Sequence, residues 1–297
     1  MDRLACLNAF VETARRGGMS AAARELGVPR ARISRQIQTL EQELGVRLLS
    51  RTTRALALTD AGAQLLESAS DALQRLEEAT CQVREAQGIV QGKLRVNAPM
   101  SFGIRVLAPL LSAFQRANPG LELHVDLSDE FVDPVRGGYD VTLRVAQLED
   151  SSLVARRLCD APRVLVAAPS YLAARGTPKS PEELERHQCL SYRYLSGGSH
   201  WLLARGGKAV RIETRGPVCA NNGDLLMHAA IGGSGIALLP RFIVDDAIER
   251  RALKIVMPEW QAPPIAVHAV YPSSRNMPLR TRRFIDYLIE SLRTQKR

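Results

Sequence analysis

The stretch VPRARISRQIQ, residues 28–38, decides how the first sixty residues of this chain are read. It carries Arg30, Arg32 and Arg35 with no acid, and its apolar residues recur only at helical spacing. Ile33, Ile37, Leu40 and Leu44 continue that spacing at i, i+4, i+7 and i+11, which predicts one apolar stripe on a helix that stops at Gly45. With the stripe buried, Ala31, Arg32, Arg35 and Gln38 face outward. A basic helix of this kind is either a solvated face or a surface shaped for a polyanion, and its neighbours choose between the two.

Upstream, Leu4, Leu7, Phe10, Val11 and Ala14 are expected on one face of a helix over residues 3–16, ended by Gly17 and Gly18. A short helix follows, for which Ser20 is a candidate cap, Ala21, Ala22 and Ala23 permit close packing, and Gly27 is the stop. Three short helices joined by glycine turns read as a helix-turn-helix. Downstream, Leu56 and Leu58 alternate with small residues, so two short strands around a Thr52-Thr53-Arg54 tip would make a basic wing. Residues 59–87 contain no proline, and Leu66, Ala69, Leu73, Leu76, Thr80, Val83 and Gln87 follow a heptad seam. A helix that long is expected to need a partner helix; packing on its own domain is the alternative.

Charge is distributed to match. Residues 1–54 hold ten arginines against five acids, whereas residues 55–92 hold two against six. Over the whole chain of 297 residues, 40 basic and 31 acidic side chains leave a formal charge of +9, which favours an anionic partner without naming one. Five scattered cysteines, Cys6, Cys81, Cys159, Cys189 and Cys219, lack any C-x-x-C spacing, which argues against a disulfide framework or zinc site and for a reducing compartment. Polar Asp2, Arg3, Asn8 and Glu12 interrupt the N-terminal apolar residues, so no signal peptide or membrane span is expected and the chain reads as cytoplasmic.

Beyond Gly88 and Gly92 the pattern changes to alternating elements. Strands are expected at residues 93–96, 121–127, 141–145, 163–168 and 265–271, with helices at 103–116 and 279–292. Such alternation predicts α/β units, a largely parallel sheet and, at about 205 residues, two lobes around a cleft.

FVETARRGGMSAAARELG (10–27), ISRQIQTLEQELGVRLLSRTTR (33–54) and LTDAG (58–62) resemble the LysR-type transcriptional regulators. The resemblance continues through GKLRVNAPMSFG (92–103), GYDVTLRV (138–145), SSLVARRL (151–158) and GSGIALLP (233–240). It implies an α/β multidomain fold with three parts: an N-terminal winged helix-turn-helix (1–59), a long linker helix that dimerises (60–88), and a two-lobed, periplasmic-binding-protein-like effector domain (89–297). Lobe 1 would take about 92–161 and 266–297, and lobe 2 about 162–265. The implied partners are double-stranded operator DNA, a small-molecule effector and further copies of the chain, as a dimer or homotetramer, with no membrane and no cofactor.

By position in the family, Arg30, Ala31, Ser34 and Arg35 are the expected base-proximal residues, supported by Ser20, Arg32 and Gln38; Arg51, Thr52, Thr53 and Arg54 would grip the flanking backbone. The family commonly carries serine at Pro29, so the start of this helix and the DNA sequence it reads depart from the pattern. For the cleft, Met100, Ser101 and Phe102 follow a strand and open a helix whose free N–H groups suit an anion. Ser128 and Asp129 end the second strand, Arg144 ends the third as either an inducer anchor or a partner of Asp140, and Asn221 and Asn222 either contact ligand or cap a helix. Ser199, His200 and Trp201 are a candidate stacking wall.

No reactive constellation for an enzyme or a metal is present: there is no HExxH, P-loop or GxSxG, and His124, His187, His200, His228 and His268 have no ligand spacing. A solute-binding protein without a regulatory role leaves the N-terminal ninety residues unexplained. Redox sensing through Cys159, Cys189 and Cys219 lacks a recognisable context.

Overall fold

The computed structural model describes residues 2–51, 56–85, 90–147, 154–194, 200–272 and 277–294. The chain begins with α1 (Arg3–Arg15), α2 (Met19–Glu25) and α3 (Arg30–Leu44), the three helices expected. On α3, Ile33, Ile37 and Leu40 are fully buried, but Leu44 is 37% exposed because the last turn runs past the core before Gly45 reverses the chain at φ +68°. On α1 the expected Phe10 and Val11 are buried and Leu7 packs against the core, but Cys6, Ala9 and Thr13 are buried beside them and Leu4 is 48% exposed. Ser20 does not cap α2: the helix starts one residue earlier, with Gly18 at the cap and no side-chain bond. Pro29 caps α3 at φ −61°, ψ 142°, without a side-chain acceptor; its own carbonyl takes the N–H of Arg32 at 2.9 Å.

Strands β1 (Leu49–Arg51) and β2 (Leu56–Leu58) pair antiparallel as the wing. Glu41 of α3 accepts the N–H groups of Leu48 at 2.8 Å and Leu49 at 3.1 Å, tying the wing's entry to the basic helix. Thr52, Thr53 and Arg54 lie outside the described residues.

Thr59 accepts the Gly62 N–H at 3.0 Å and so starts α4 (Asp60–Glu85), roughly 39 Å long at 1.5 Å per residue. A Cβ on Gly62 would stand 2.1 Å from the Leu48 carbonyl oxygen, so only glycine lets α4 cross the wing this closely. The heptad seam divides. Ala69, with Leu65, Leu66 and Leu73, packs on the three-helix core, whereas Leu76 is 46% exposed and Thr80 is exposed too. Gln87 lies outside the described residues.

The remainder builds two five-stranded sheets. Its elements are β3 (Gly92–Ala98), α5 (Met100–Phe102), a π turn (Gly103–Leu107), α6 (Ala108–Ala117), β4 (Leu121–Leu127), α7 (Pro134–Gly137), β5 (Val141–Ala146), β6 (Val154–Asp160), β7 (Arg163–Ala167), α8 (Pro169–Arg175), a 3-10 turn (Pro181–Arg186), β8 (Cys189–Tyr192), β9 (His200–Arg205), β10 (Lys208–Glu213), β11 (Cys219–Ala220), α9 (Gly223–Ile231), β12 (Ile236–Pro240), α10 (Arg241–Glu249), β13 (Lys254–Val256), β14 (Ala266–Tyr271) and α11 (Leu279–Thr294).

The first sheet has order β4-β3-β5-β14-β6, the second β11-β8-β12-β7-β13. The expectation of a largely parallel arrangement is corrected. In each sheet two pairings are parallel and two antiparallel, because β14 returns into the first sheet against β5 and β6, and β7 runs against β12 and β13. The chain crosses between lobes twice, at 161–162 and 263–265, and the crossings bond through Ala161 N–H to Ile265 O at 2.9 Å. Helix α11 folds back on the first lobe, burying Phe284, Ile285 and Leu288, with Phe284 edge-on to Phe114 at 5.2 Å.

No described helix is long and apolar enough to cross a membrane. No cluster of metal-ligand type occurs among the described residues.

Candidate functional site

The basic helix presents the residues its periodicity assigned outward. Arg30, Ala31, Arg32, Arg35 and Gln38 are exposed, Ser34 is half-buried, and Ser20 is exposed on the neighbouring α2. Among the described residues, none of Arg30, Arg32 and Arg35 is in an ion pair. The contrast with α1 is direct, where Arg15 and Arg16 are both bound to Glu12. Three unpaired guanidiniums on one rigid face form a surface that a polyanion can complete. Arg51 pairs in β1 opposite Leu56, the pair nearest the tip of the wing.

A cavity of about 510 Å³ lies between the two lobes. Of the residues expected there, Ser101, Phe102, Asp129 and His200 line it, and Trp201 presents part of its otherwise buried ring. Met100, Ser128, Arg144, Asn221 and Asn222 do not. Ser199 lies outside the described residues. Ser101 is 4% exposed, and its hydroxyl has no hydrogen-bond partner among the described residues. It faces Gly223 of the opposite lobe, where a Cβ would come within 3.5 Å of it and within 2.5 Å of Ile243.

The helix start after Pro99 is not vacant for an anion. The Met100 N–H donates to Asp129 at 3.0 Å, and the other oxygen of that carboxylate accepts from Asn222 at 3.1 Å. Asp129 therefore bridges the lobes, and Asn222 also caps α9 by accepting the Leu225 N–H at 3.1 Å. A second bridge runs from Arg105 to Asp224 at 2.6 Å, and Phe102 meets Phe242 edge-on at 5.6 Å across the cleft.

Arg144 is absorbed by its own lobe. It is 7% exposed, donates to the Val132 carbonyl at 3.0 Å and lies 5.3 Å over the Phe131 ring. Burial holds its guanidinium below the usual range, against the pull of Tyr139 and Asp129. Asp140, the alternative partner, instead takes Arg280 at 3.0 Å and the Arg95 N–H at 2.8 Å.

Sequence reasoning missed Arg163, Tyr192, Tyr194, Arg211 and Phe242, which also line the cavity. A signal existed for Arg211. Val210 and Ile212 alternate with Arg211 and Glu213 after Gly206-Gly207, as in the second strand of the β9–β10 hairpin observed. Both of those glycines have positive φ, which a tight hairpin turn of this kind requires.

The two regions meet at β3. Lys93 and Arg95 reach Glu25 at 3.4 and 3.3 Å, and Arg95 reaches Glu12 at 3.2 Å. Four residues on, the same strand runs into Pro99 and Ser101 of the cavity.

The family described as "Bacterial regulatory helix-turn-helix protein, lysR family" matches residues 4–63, and "LysR substrate binding domain" matches residues 87–293. The chain is 36% identical over 297 residues to the HTH-type transcriptional regulator PtxR of Pseudomonas aeruginosa, covering 98% of this chain and 95% of that one. It is 35% identical over 288 residues to the HTH-type transcriptional regulator CrgA of Neisseria meningitidis, covering 96% of each. Among solved structures it is similar to full-length AphB, the virulence activator of Vibrio cholerae, with a TM-score of 0.64 and 31% identity over 97% of this chain and 98% of that one. CrgA of Neisseria meningitidis gives a TM-score of 0.62 and 34% identity over the same shares.

Proposed function

The chain belongs to the LysR family of transcriptional regulators, with a DNA-binding and a substrate-binding domain, and from that premise we propose that it binds operator DNA as a homo-oligomer under control of a small anionic effector held between its two lobes. The observation that carries the DNA reading is the exposed face of α3, where Arg30, Arg32 and Arg35, beside Gln38, have no acidic partner among the described residues. Arg35 and Gln38 are assigned to base edges, Arg30, Ala31 and Ser34 to the groove floor, and Ser20, Arg32 and the wing residues Arg51, Thr52, Thr53 and Arg54 to phosphates. We divide the chain into a DNA-binding domain (1–59), a dimerising helix (60–88) and an effector domain (89–297), acting in the cytoplasm. The exposed Leu76 half of the α4 seam supports pairing of α4 with a second copy.

Effector control is supported by the cavity and by β3, which joins it to Glu12 and Glu25 of the N-terminal helices. Ligand-driven movement of Ser101 would be felt at Arg95. Redox control is disfavoured, because burial pushes the Cys189 thiol up to about 12 and so away from the reactive thiolate.

The test is operator binding across a salt series. Arg35→Ala is expected to cost about 1–3 kcal/mol of affinity for the specific site. Arg32→Ala is expected to lower the salt slope by about 0.9 and weaken all DNA alike. Wild-type operator affinity in Arg35→Ala would remove α3 as the reading face.

A further inference from the structure

The cavity between the lobes contains a half-buried cation that no carboxylate answers among the described residues. Arg163 is the first residue of β7, immediately after the first crossing, and it lines the cavity. Its Nη2 donates to the Pro263 carbonyl at 3.0 Å on the returning crossing, while Nε is buried with no partner among the described residues. No acid lies within ion-pair distance of it there. Burial therefore acts unopposed and pulls its guanidinium below the usual range. This sets it apart from Arg95, where Glu12 and other acids outweigh burial, and from Arg15, where Glu12 opposes burial in part.

Among the described residues the one acid lining the cavity, Asp129, already accepts from Met100 and Asn222 and is not spare for Arg163. Arg211 adds a second guanidinium to the lining, also without an acid among the described residues. The described lining thus holds two guanidiniums against one carboxylate. A guanidinium taken from water with one of its five N–H donors used is poorly compensated, and a carboxylate would supply both the charge and a matching bidentate acceptor. Much of the remaining wall is apolar: Phe102, Tyr192, Leu239, Phe242, Ile243 and Ile265.

Resting on the reading of this cleft as the effector site, we propose that Arg163 anchors the effector's carboxylate. The ligand is a monocarboxylate whose apolar body is the size of one ring or a branched chain. Its position gives the anchor a second consequence. Because Arg163 also holds Pro263, a bound carboxylate acts where the two crossings join the lobes, beside the Ala161–Ile265 hydrogen bond.

The experiment is thermal melting of the full-length protein at constant ionic strength. The probes, at 20 mM, are phenylacetate and 4-methylpentanoate, each against its neutral amide. The acids are expected to raise the melting temperature by about 4 °C and the amides by less than about 1 °C. Arg163→Gln should abolish the difference, and Arg163→Lys should restore part of it. The acid–amide contrast in the wild-type protein stands even if Arg163→Gln does not fold.

Equal stabilisation by acid and amide, lost in the cavity-filling Ala146→Trp, overturns the anchor and leaves the cleft as the effector site. Shifts that persist unchanged in Ala146→Trp place binding elsewhere and overturn both readings. An acid preference that survives Arg163→Gln overturns the anchor, and the absence of any shift from all four compounds overturns the ligand class.

Discussion

Glu12 holds the junction between the N-terminal helices and the first lobe, and Glu12→Gln removes its charge at nearly constant volume. Its side chain is 4% exposed and takes Arg95 at 3.2 Å, Arg16 at 3.3 Å and Arg15 at 3.6 Å. Glu25 supports it by taking Arg16 at 2.7 Å, Arg95 at 3.3 Å and Lys93 at 3.4 Å. At an effective dielectric constant of about 20, one pair at 3.2 Å is worth roughly 5 kcal/mol before desolvation. Deleting one partner of a buried pair typically costs about 3–5 kcal/mol, because the surviving charge stays buried. Arg95 retains Glu25, so the low end applies, about 3 kcal/mol, or a roughly 150-fold larger equilibrium constant for opening.

Hydrogen–deuterium exchange of the α1 and β3 amides reads that opening locally. A double-mutant cycle with Arg95→Met isolates the contact between domains, and its coupling should be about 1.5–2 kcal/mol. Acid should loosen the same junction. Burial pushes the Glu25 carboxyl up, but Arg16, Lys93 and Arg95 together outweigh it and hold it below 4.5. A depressed carboxyl stabilises fully above its unfolded value and loses that contribution as pH falls through the folded one. Protection, corrected for intrinsic exchange, should therefore decline below pH 4.5. Additivity of the two substitutions within about 0.5 kcal/mol would refute the claim that these charges join the domains.

Gly62→Ala forces a Cβ to 2.1 Å from the Leu48 carbonyl oxygen, and should destabilise the N-terminal domain by about 1–3 kcal/mol in thermal melting. An unchanged melting temperature would mean that α4 and the wing move apart freely. Glu41→Ala leaves the Leu48 and Leu49 N–H groups without their acceptor and should cost about 1–3 kcal/mol, measured by urea unfolding; no loss would show that water replaces the carboxylate. Cys219 is exposed, whereas burial pushes Cys189 up to about 12, so a thiol reagent at neutral pH should modify Cys219 first and reach Cys189 only on unfolding. Prompt labelling of Cys189 would contradict its burial.

The local geometry of the DNA-facing half was legible in the residues. Apolar spacing on α3 placed Ile33, Ile37 and Leu40 inside, and so placed Arg32, Arg35 and Gln38 outside, because a helix of fixed period leaves each residue little choice of face. Even there, the exposure of Leu4, the burial of Cys6, Ala9 and Thr13 on α1 and the cap of α2 followed from packing rather than from spacing.

In the effector half the sequence by itself determined that strands and helices alternate and where several of them begin. Only the tertiary structure decided which charges meet. Asp129 finds Asn222, Arg105 finds Asp224 and Asp140 finds Arg280 across 93, 119 and 140 residues. Arg144, read from its place at a strand end as either a cleft anchor or a partner of Asp140, was neither, because Phe131 and Val132 closed over it. Arg163, which had no local mark, was left facing the cavity without an acid among the described residues. Periodicity encodes which side of an element is dry, but an ion pair is set by topology: two remote segments must be brought within a few ångströms before either charge has a partner.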